Sequence, residues 1–129
     1  MIDNFEDLFK EISPKTIVLY CGGNDLAVGL DPDEIFKKLI FLIKRIKEKY
    51  KKIKIINIQL KPSIERFSKM DKINLLNKLI TDHFKNRKNL IQLKCFEDIM
   101  INGYVDETFF LRDGLHLNDK GYELISQNL

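Results

Sequence analysis

Cysteine is scarce in this chain, which excludes a fold held together by disulfide bonds. The 129 residues include two cysteines, Cys21 and Cys95, and no Cys-x-x-Cys pair. A disulfide framework needs more cysteines and an oxidising compartment. Each of the two lies inside an apolar run, where a lone cysteine is usually a small buried side chain.

Long hydrophobic runs and a targeting segment are also missing. The longest apolar run in the helical part of the sequence, residues 39–43, is far shorter than the roughly 20 residues that a membrane-spanning helix needs. Residues 1–12 contain neither a basic start nor a signal-like apolar stretch. We therefore expect no membrane partner and a cytoplasmic location.

The excess of positive charge is small, with a formal net charge of +3. The lysines are scattered, apart from a cluster at 47–54 that contains one aromatic residue and no arginine. We therefore expect no nucleic-acid partner. The chain also lacks the Gly-x-Gly-x-x-Gly and Gly-Lys-Ser/Thr patterns of phosphate-binding loops, and we expect no cofactor.

The hydrophobic pattern predicts a single domain over residues 1–129. Helices are predicted at 5–12, 31–50, 68–84 and after Asn118, which caps the last one; strands are predicted at 16–21, 53–60 and 89–96. In the second helix, Asp31 and Glu34 stand at the positions of a capping box around Pro32. Strands that alternate with helices favour an α/β fold in which a parallel sheet is covered by helices on both faces, so residues 16–21 should be buried on both sides.

Polar residues follow the predicted strands at the rim where parallel sheets bind ligands. Asn24 and Asp25 come just after the first strand, in a Gly-Gly-Asn-Asp stretch that we expect to form a turn and continue without helix. Asp113 and His116 precede the last helix. The order of elements brings these four side chains towards one edge.

Two blocks at this rim carry a family resemblance. The first is Gly22-Gly23-Asn24-Asp25, and the second is Asp113-Gly-Leu-His116. Together they resemble the Gly-x-Asn-Asp and Asp-x-x-His blocks of the SGNH/GDSL hydrolases, a family of serine esterases and acetylhydrolases. The resemblance spans about residues 7 to 125. It implies a flavodoxin-like, three-layer α/β fold.

The resemblance implies a role for each matched residue. His116 would be the base that accepts a serine proton, and Asp113 would orient the imidazole. The side-chain amide of Asn24 would donate to the oxyanion. Gly22, Gly23 and Asp25 would shape the turn and the pocket.

Simpler interpretations of these residues remain open. The same glycines, Asn24 and Asp25 also suit an ordinary turn. Asp25, Asp113 and His116 could also bind a divalent ion, but a single histidine without Glu-x-x-His spacing makes a metal the weaker hypothesis.

The family's Gly-Asp-Ser nucleophile block and its second-block glycine are absent. The four serines are Ser13, Ser63, Ser68 and Ser126, and none follows Gly-Asp. We therefore predict that the chain holds no nucleophile. It should be a partial SGNH domain, the C-terminal two thirds, truncated to about three strands.

Two functions follow as hypotheses. The chain is either an SGNH-type carboxylic-ester hydrolase domain, incomplete or inactive by itself, or a non-catalytic remnant or binding module of the same fold. A small ester would be the substrate of the completed domain. The strand at 16–21 would become a sheet edge, so we expect self-association there or docking of a missing N-terminal segment.

Overall fold

The structure, a computed structural model, describes residues 13–128, and the helix predicted at 5–12 lies outside them. A central sheet is formed by β1 (Thr16–Leu19), β2 (Lys54–Ile58) and β3 (Leu90–Leu93), and a small hairpin by β4 (Met100–Ile101) and β5 (Tyr104–Val105). The helices are α1 (Gly23–Ala27), α2 (Pro32–Lys49), α3 (Met70–Phe84) and α4 (Asp119–Asn128), with 3-10 turns at Phe67–Lys69, Glu97–Ile99 and Glu107–Phe109.

The three central strands are parallel and lie in the order β1-β2-β3. Their register places Val18 beside Ile56, and Ile56 beside Ile91. Helices connect the strands, as βαβ crossovers require. The predicted α/β fold with a three-stranded parallel sheet is confirmed.

The main core lies between one sheet face and helices α2 and α3. Helix α3 buries one residue per turn at helical spacing, as predicted: Ile73, Leu76, Ile80 and Phe84. These side chains pack against the inner residues of β1 and β2, Ile17 and Ile55. Burial of each such side chain contributes about 1.5–3 kcal/mol, so this layer is the main stabiliser of the sheet.

The prediction that the first strand is buried on both faces is wrong. Side chains along strand β1 alternate between buried and exposed, because Ile17 is 8% exposed and Val18 is 57% exposed. In the described part of the chain β1 pairs only with β2, so it is an edge strand, as expected. On its outer face Val18 is left uncovered. Among the described residues, strand β1 therefore presents both an unpaired backbone edge and apolar surface.

Two further differences concern local structure. The stretch after Gly22 is not an open turn, because α1 begins at Gly23 and Leu26 N–H donates to the Gly22 carbonyl. Helix α2 starts at Pro32, as expected, but Asp31 makes no side-chain cap hydrogen bond. Asn118 does cap α4, because its Oδ1 accepts from Gly121 N at 3.0 Å.

Within residues 13–128 no helix combines the length and the apolar character needed to cross a membrane. The cytoplasmic location expected from the sequence stays a prediction.

Candidate active site

A cavity of about 160 Å³ lies at the carboxyl ends of the strands. Asn24 on α1 and His116 before α4 both line it, and so does Arg66 from the segment after β2. The two stretches expected to share this edge, which carry Asn24 and His116, therefore do meet there. Asn24 and His116 are separated by 92 positions in sequence, and the parallel sheet brings them together.

The Asp113 carboxylate is paired with the His116 imidazole. Asp113 Oδ2 lies 2.6 Å from His116 Nδ1. The other carboxylate oxygen, Oδ1, accepts from the backbone N–H groups of Leu115 at 2.9 Å and His116 at 3.0 Å. These backbone bonds fix the carboxylate, which in turn fixes the ring.

This pairing lowers the pKa of Asp113 and selects the tautomer of the His116 ring. The His116 side-chain hydrogen bond, followed by the two backbone N–H donors, holds the pKa of Asp113 well below its usual range. An ionised carboxylate can only accept, so the ring proton in this contact belongs to Nδ1. The neutral ring then carries its free lone pair on Nε2, the atom that a general base needs.

The loop that carries His116 is held against the segment after β2. Gly114 has φ +66°, and a Cβ there would lie 3.1 Å from Ile64 Cβ. The Gly114 carbonyl accepts from Glu65 N at 2.9 Å, and Lys61 Nζ donates to the Leu115 carbonyl. Glycine is therefore required at 114 for both its backbone angle and the close approach.

Arg66 orients the side chain of Asn24. Its Nη2 donates to Asn24 Oδ1 at 3.0 Å. Since this bond occupies the oxygen end of the amide, the Nδ2 end is the one left to donate to a ligand. Such a donor suits the role of an oxyanion-hole group.

The glycines before Asn24 have separate structural reasons. Gly22 has φ +107°, and a Cβ there would lie 3.2 Å from Ile35 and 3.3 Å from Leu76. Gly23 lines the cavity, and a Cβ there would lie 2.7 Å from Arg66 Nη1. Gly22 therefore packs the turn into the core, whereas Gly23 leaves room for the guanidinium that holds Asn24.

Asp25 has a structural role within α1 and does not line the cavity. Its main-chain oxygen accepts from Leu30 N at 3.0 Å. Its charge also acts on Cys21, whose pKa is raised to about 11, mainly by burial and then by Asp25. Cys21 is therefore a neutral thiol near pH 7 and is not activated as a nucleophile.

None of the four serines lines the cavity. Ser63 is completely buried, and its Oγ accepts from Arg66 N at 3.1 Å. Ser126 Oγ donates to the Glu123 carbonyl on α4. The sequence outside the described residues adds no further serine, so the cavity brings together the His116 imidazole and the Asn24 amide without a serine of this chain.

A metal centre finds no support among residues 13–128. They contain no group of three or more His, Cys, Asp and Glu side chains that could hold an ion.

Sequence reasoning missed the cations of the cavity, Lys61, Arg66 and Lys69. They lie in the Lys-Pro-Ser-Ile-Glu-Arg-Phe-Ser-Lys stretch directly after β2. Its position after a parallel strand was a sufficient signal, because such segments line the ligand-binding rim.

Comparison with known proteins identifies the family. The sequence model of the GDSL-like Lipase/Acylhydrolase family matches residues 3–124. The chain belongs to this family. A comparison with curated proteins gave no match.

Solved structures show the same fold at low sequence identity. A protein from Streptococcus pneumonia described as a putative platelet activating factor is 20% identical, with a TM-score of 0.81. The matched region covers 98% of this chain and 64% of that protein. An acylhydrolase from Bacteroides fragilis is 18% identical with a TM-score of 0.81, covering 97% and 64%. A carbohydrate esterase of family 3 from Talaromyces cellulolyticus is 19% identical with a TM-score of 0.75, covering 95% and 57%. The chain thus spans less than two thirds of the length of these three relatives.

Proposed function

We propose that this GDSL-like chain carries the acid–base and oxyanion part of a carboxylic-ester hydrolase site. His116 accepts and returns the proton of a nucleophile, Asp113 holds the imidazole, and Asn24 donates to the developing oxyanion. The observation that carries the proposal is that the paired His116 and the oriented Asn24 line one cavity.

The serine comes from outside this sequence in the proposed mechanism. None of the four serines lines the cavity, and the partly buried thiol of Cys21 is held neutral. The chain by itself is therefore inactive, because a base and an oxyanion donor do nothing without an acyl acceptor.

The completing segment docks along strand β1 in this proposal. Within the described part of the chain, one edge of this strand is unpaired. The carboxyl end of the strand leads into the short helix that carries Asn24. A parallel strand added there would end at the same rim as the cavity. Without it, the same edge pairs with a second copy of the chain.

A non-catalytic role is the second candidate, and the missing serine favours it. A binding module would keep the cavity without any need for proton transfer. The tight Asp113–His116 pair favours the hydrolase instead, because binding alone does not require an oriented imidazole.

Completion of the domain tests the proposal. The segment of the Bacteroides fragilis acylhydrolase that this chain does not cover is fused ahead of Met1, and hydrolysis of p-nitrophenyl acetate is measured. We expect turnover that falls about 1,000-fold or more in His116→Ala, and about 100- to 1,000-fold in Asn24→Ala.

The serine-to-alanine form of the grafted segment is the matched control and should be inactive. A folded fusion with a cooperative melt but without turnover, or with turnover that survives His116→Ala, would favour the binding module.

A further inference from the structure

The cavity beside Asn24 and His116 has a strongly positive lining. Lys61, Arg66 and Lys69 contribute to it, and no Asp or Glu is among the described residues that line it. Two carboxylates lie near these cations, since the charge of Asp113 acts on Lys61 and Glu65 pairs with Arg66. Asp113 is paired with His116, and Glu65 lies 3.5 Å from the Nε of Arg66 with a half-exposed side chain.

The two lysines are fixed in place by neutral acceptors. Lys61 Nζ donates to the Leu115 carbonyl, and Lys69 Nζ donates to the Leu26 carbonyl at 3.1 Å. A carbonyl oxygen orients an ammonium without cancelling its charge. Each ammonium has three N–H donors, and the bond to the carbonyl uses one of them. The cations are therefore positioned but not neutralised.

Partial burial makes the charges of these side chains energetically unfavourable. Burial first, and then the charge of Arg66, lowers the pKa of Lys61. The Nε of Arg66 is buried and makes no hydrogen bond, although it forms an ion pair with the half-exposed Glu65 at 3.5 Å. An incompletely satisfied buried cation destabilises a fold, and a bound anion removes that penalty.

We propose that the cavity binds esters that carry a second, anionic group, a carboxylate, close to the scissile ester, with Lys61 and Lys69 as the specificity-determining residues. This inference rests on the proposed function for the ester part. Arg66 is already engaged with Asn24, so the two lysines supply the donors for the anion, while Asn24 and His116 face the ester.

A binding titration of the full 129-residue chain tests this without any need for catalysis. The probes are monomethyl succinate and dimethyl succinate, which differ by one methyl group that removes the charge. Amide ¹H–¹⁵N shifts are followed during each titration. We expect the monoester to shift the Gly23, Asn24 and Leu115 signals saturably and to bind about ten-fold or more tightly than the diester, because charge-assisted hydrogen bonds are the stronger ones.

Two lysine variants locate the effect. Lys61→Met and Lys69→Met should each weaken monoester binding several-fold more than they weaken diester binding. Lys78→Met is the matched control, because it removes the same charge from the exposed face of α3, where Lys78 pairs with Asp82. It should change neither affinity.

Equal affinity for the two succinate esters would overturn the inference, as would absence of monoester binding by a chain whose amide spectrum is dispersed. If Lys78→Met weakened monoester binding as much as the cavity variants do, the preference would come from the overall charge of the protein, and the inference would be overturned as well. Loss of fold in a lysine variant does not remove the test, because the comparison of the two esters uses the unaltered chain. Failure of hydrolysis in the completed domain would overturn the proposed function and leave this binding result standing.

Discussion

Arg66 Nη2 donates a hydrogen bond to Asn24 Oδ1, with 3.0 Å between the two atoms. The bond joins the segment after β2 to the short helix after β1, and it decides which end of the Asn24 amide is free to act as a donor. Arg66 is therefore a positioning residue for Asn24.

Removal of the guanidinium should release the Asn24 side chain. In Arg66→Met we expect the two side-chain amide protons of Asn24 to move towards the shifts of a free asparagine side chain and to exchange with water faster, because the guanidinium that donates to Oδ1 of the same amide is gone. Arg66→Lys should restore part of the effect, since an ammonium can still donate to Oδ1. Unchanged Asn24 amide signals in Arg66→Met would show that the guanidinium does not orient this side chain.

Asp113 should titrate well below an ordinary aspartate. Its pKa is held down by the His116 side chain and by two backbone N–H groups. The stability that the carboxylate contributes is therefore fully present above the ordinary pKa of about 3.9, and it is lost as the pH falls from there through the lowered pKa. The ¹³C shift of the carboxyl group measures this midpoint directly. In His116→Ala the midpoint should move up but stay below the ordinary value, because backbone donors remain. A wild-type midpoint near 3.9 would contradict the pairing.

Alanine substitutions at Gly22 and Gly29 distinguish the cost of backbone strain from the cost of crowded packing. Both have positive φ, +107° and +98°, but a Cβ at 22 would crowd Ile35 and Leu76, whereas a Cβ at 29 has nothing within 4 Å. We expect Gly29→Ala to lower the free energy of unfolding by about 1–2 kcal/mol and Gly22→Ala by about 2–4 kcal/mol. Urea denaturation measures both. Equal losses would show that the turn does not pack tightly against the helices.

Strand β1 should drive self-association of the isolated chain. Its edge is unpaired within the described residues, and Val18 on its outer face is more than half exposed. Sedimentation velocity should show dimers or larger species, and Val18→Lys should shift them towards monomer, because a charge on an edge strand opposes pairing. Phe41→Lys on the exposed surface of α2 is the control and should not. A monodisperse wild-type monomer would contradict the prediction.

Periodic burial and the two motif blocks made much of this protein predictable from sequence. The spacing of Ile73, Leu76, Ile80 and Phe84 predicted the inner face of α3, and the order of elements brought Asn24 and His116 to one rim. Both inferences depend on patterns that local sequence carries, a helical period and the geometry of parallel strands.

The features that sequence reasoning missed have two causes. Two of them depend on tertiary contacts, and one followed from a turn signal that was overlooked. The sequence around Arg66 contains no signal that its side chain bonds to Asn24, which lies 42 positions earlier. The exposure of Val18 follows from which neighbours cover a strand, not from its own apolar sequence. The β4–β5 hairpin was predictable, because Asn102-Gly103 is a strong signal for a two-residue turn and both residues have positive φ.

Covalent labelling by a fluorophosphonate tests the central claim most directly, namely that His116 activates a serine supplied from outside this sequence. The chain alone and the fusion with the acylhydrolase segment are treated with the reagent, and the modified residue is located by peptide mass spectrometry. The account predicts no label on the chain alone, and in the fusion a label on the grafted serine that slows about 100-fold or more in His116→Ala. A His116-dependent label on Ser13, Ser63, Ser68 or Ser126, or labelling of the grafted serine at the same rate without His116, would contradict it.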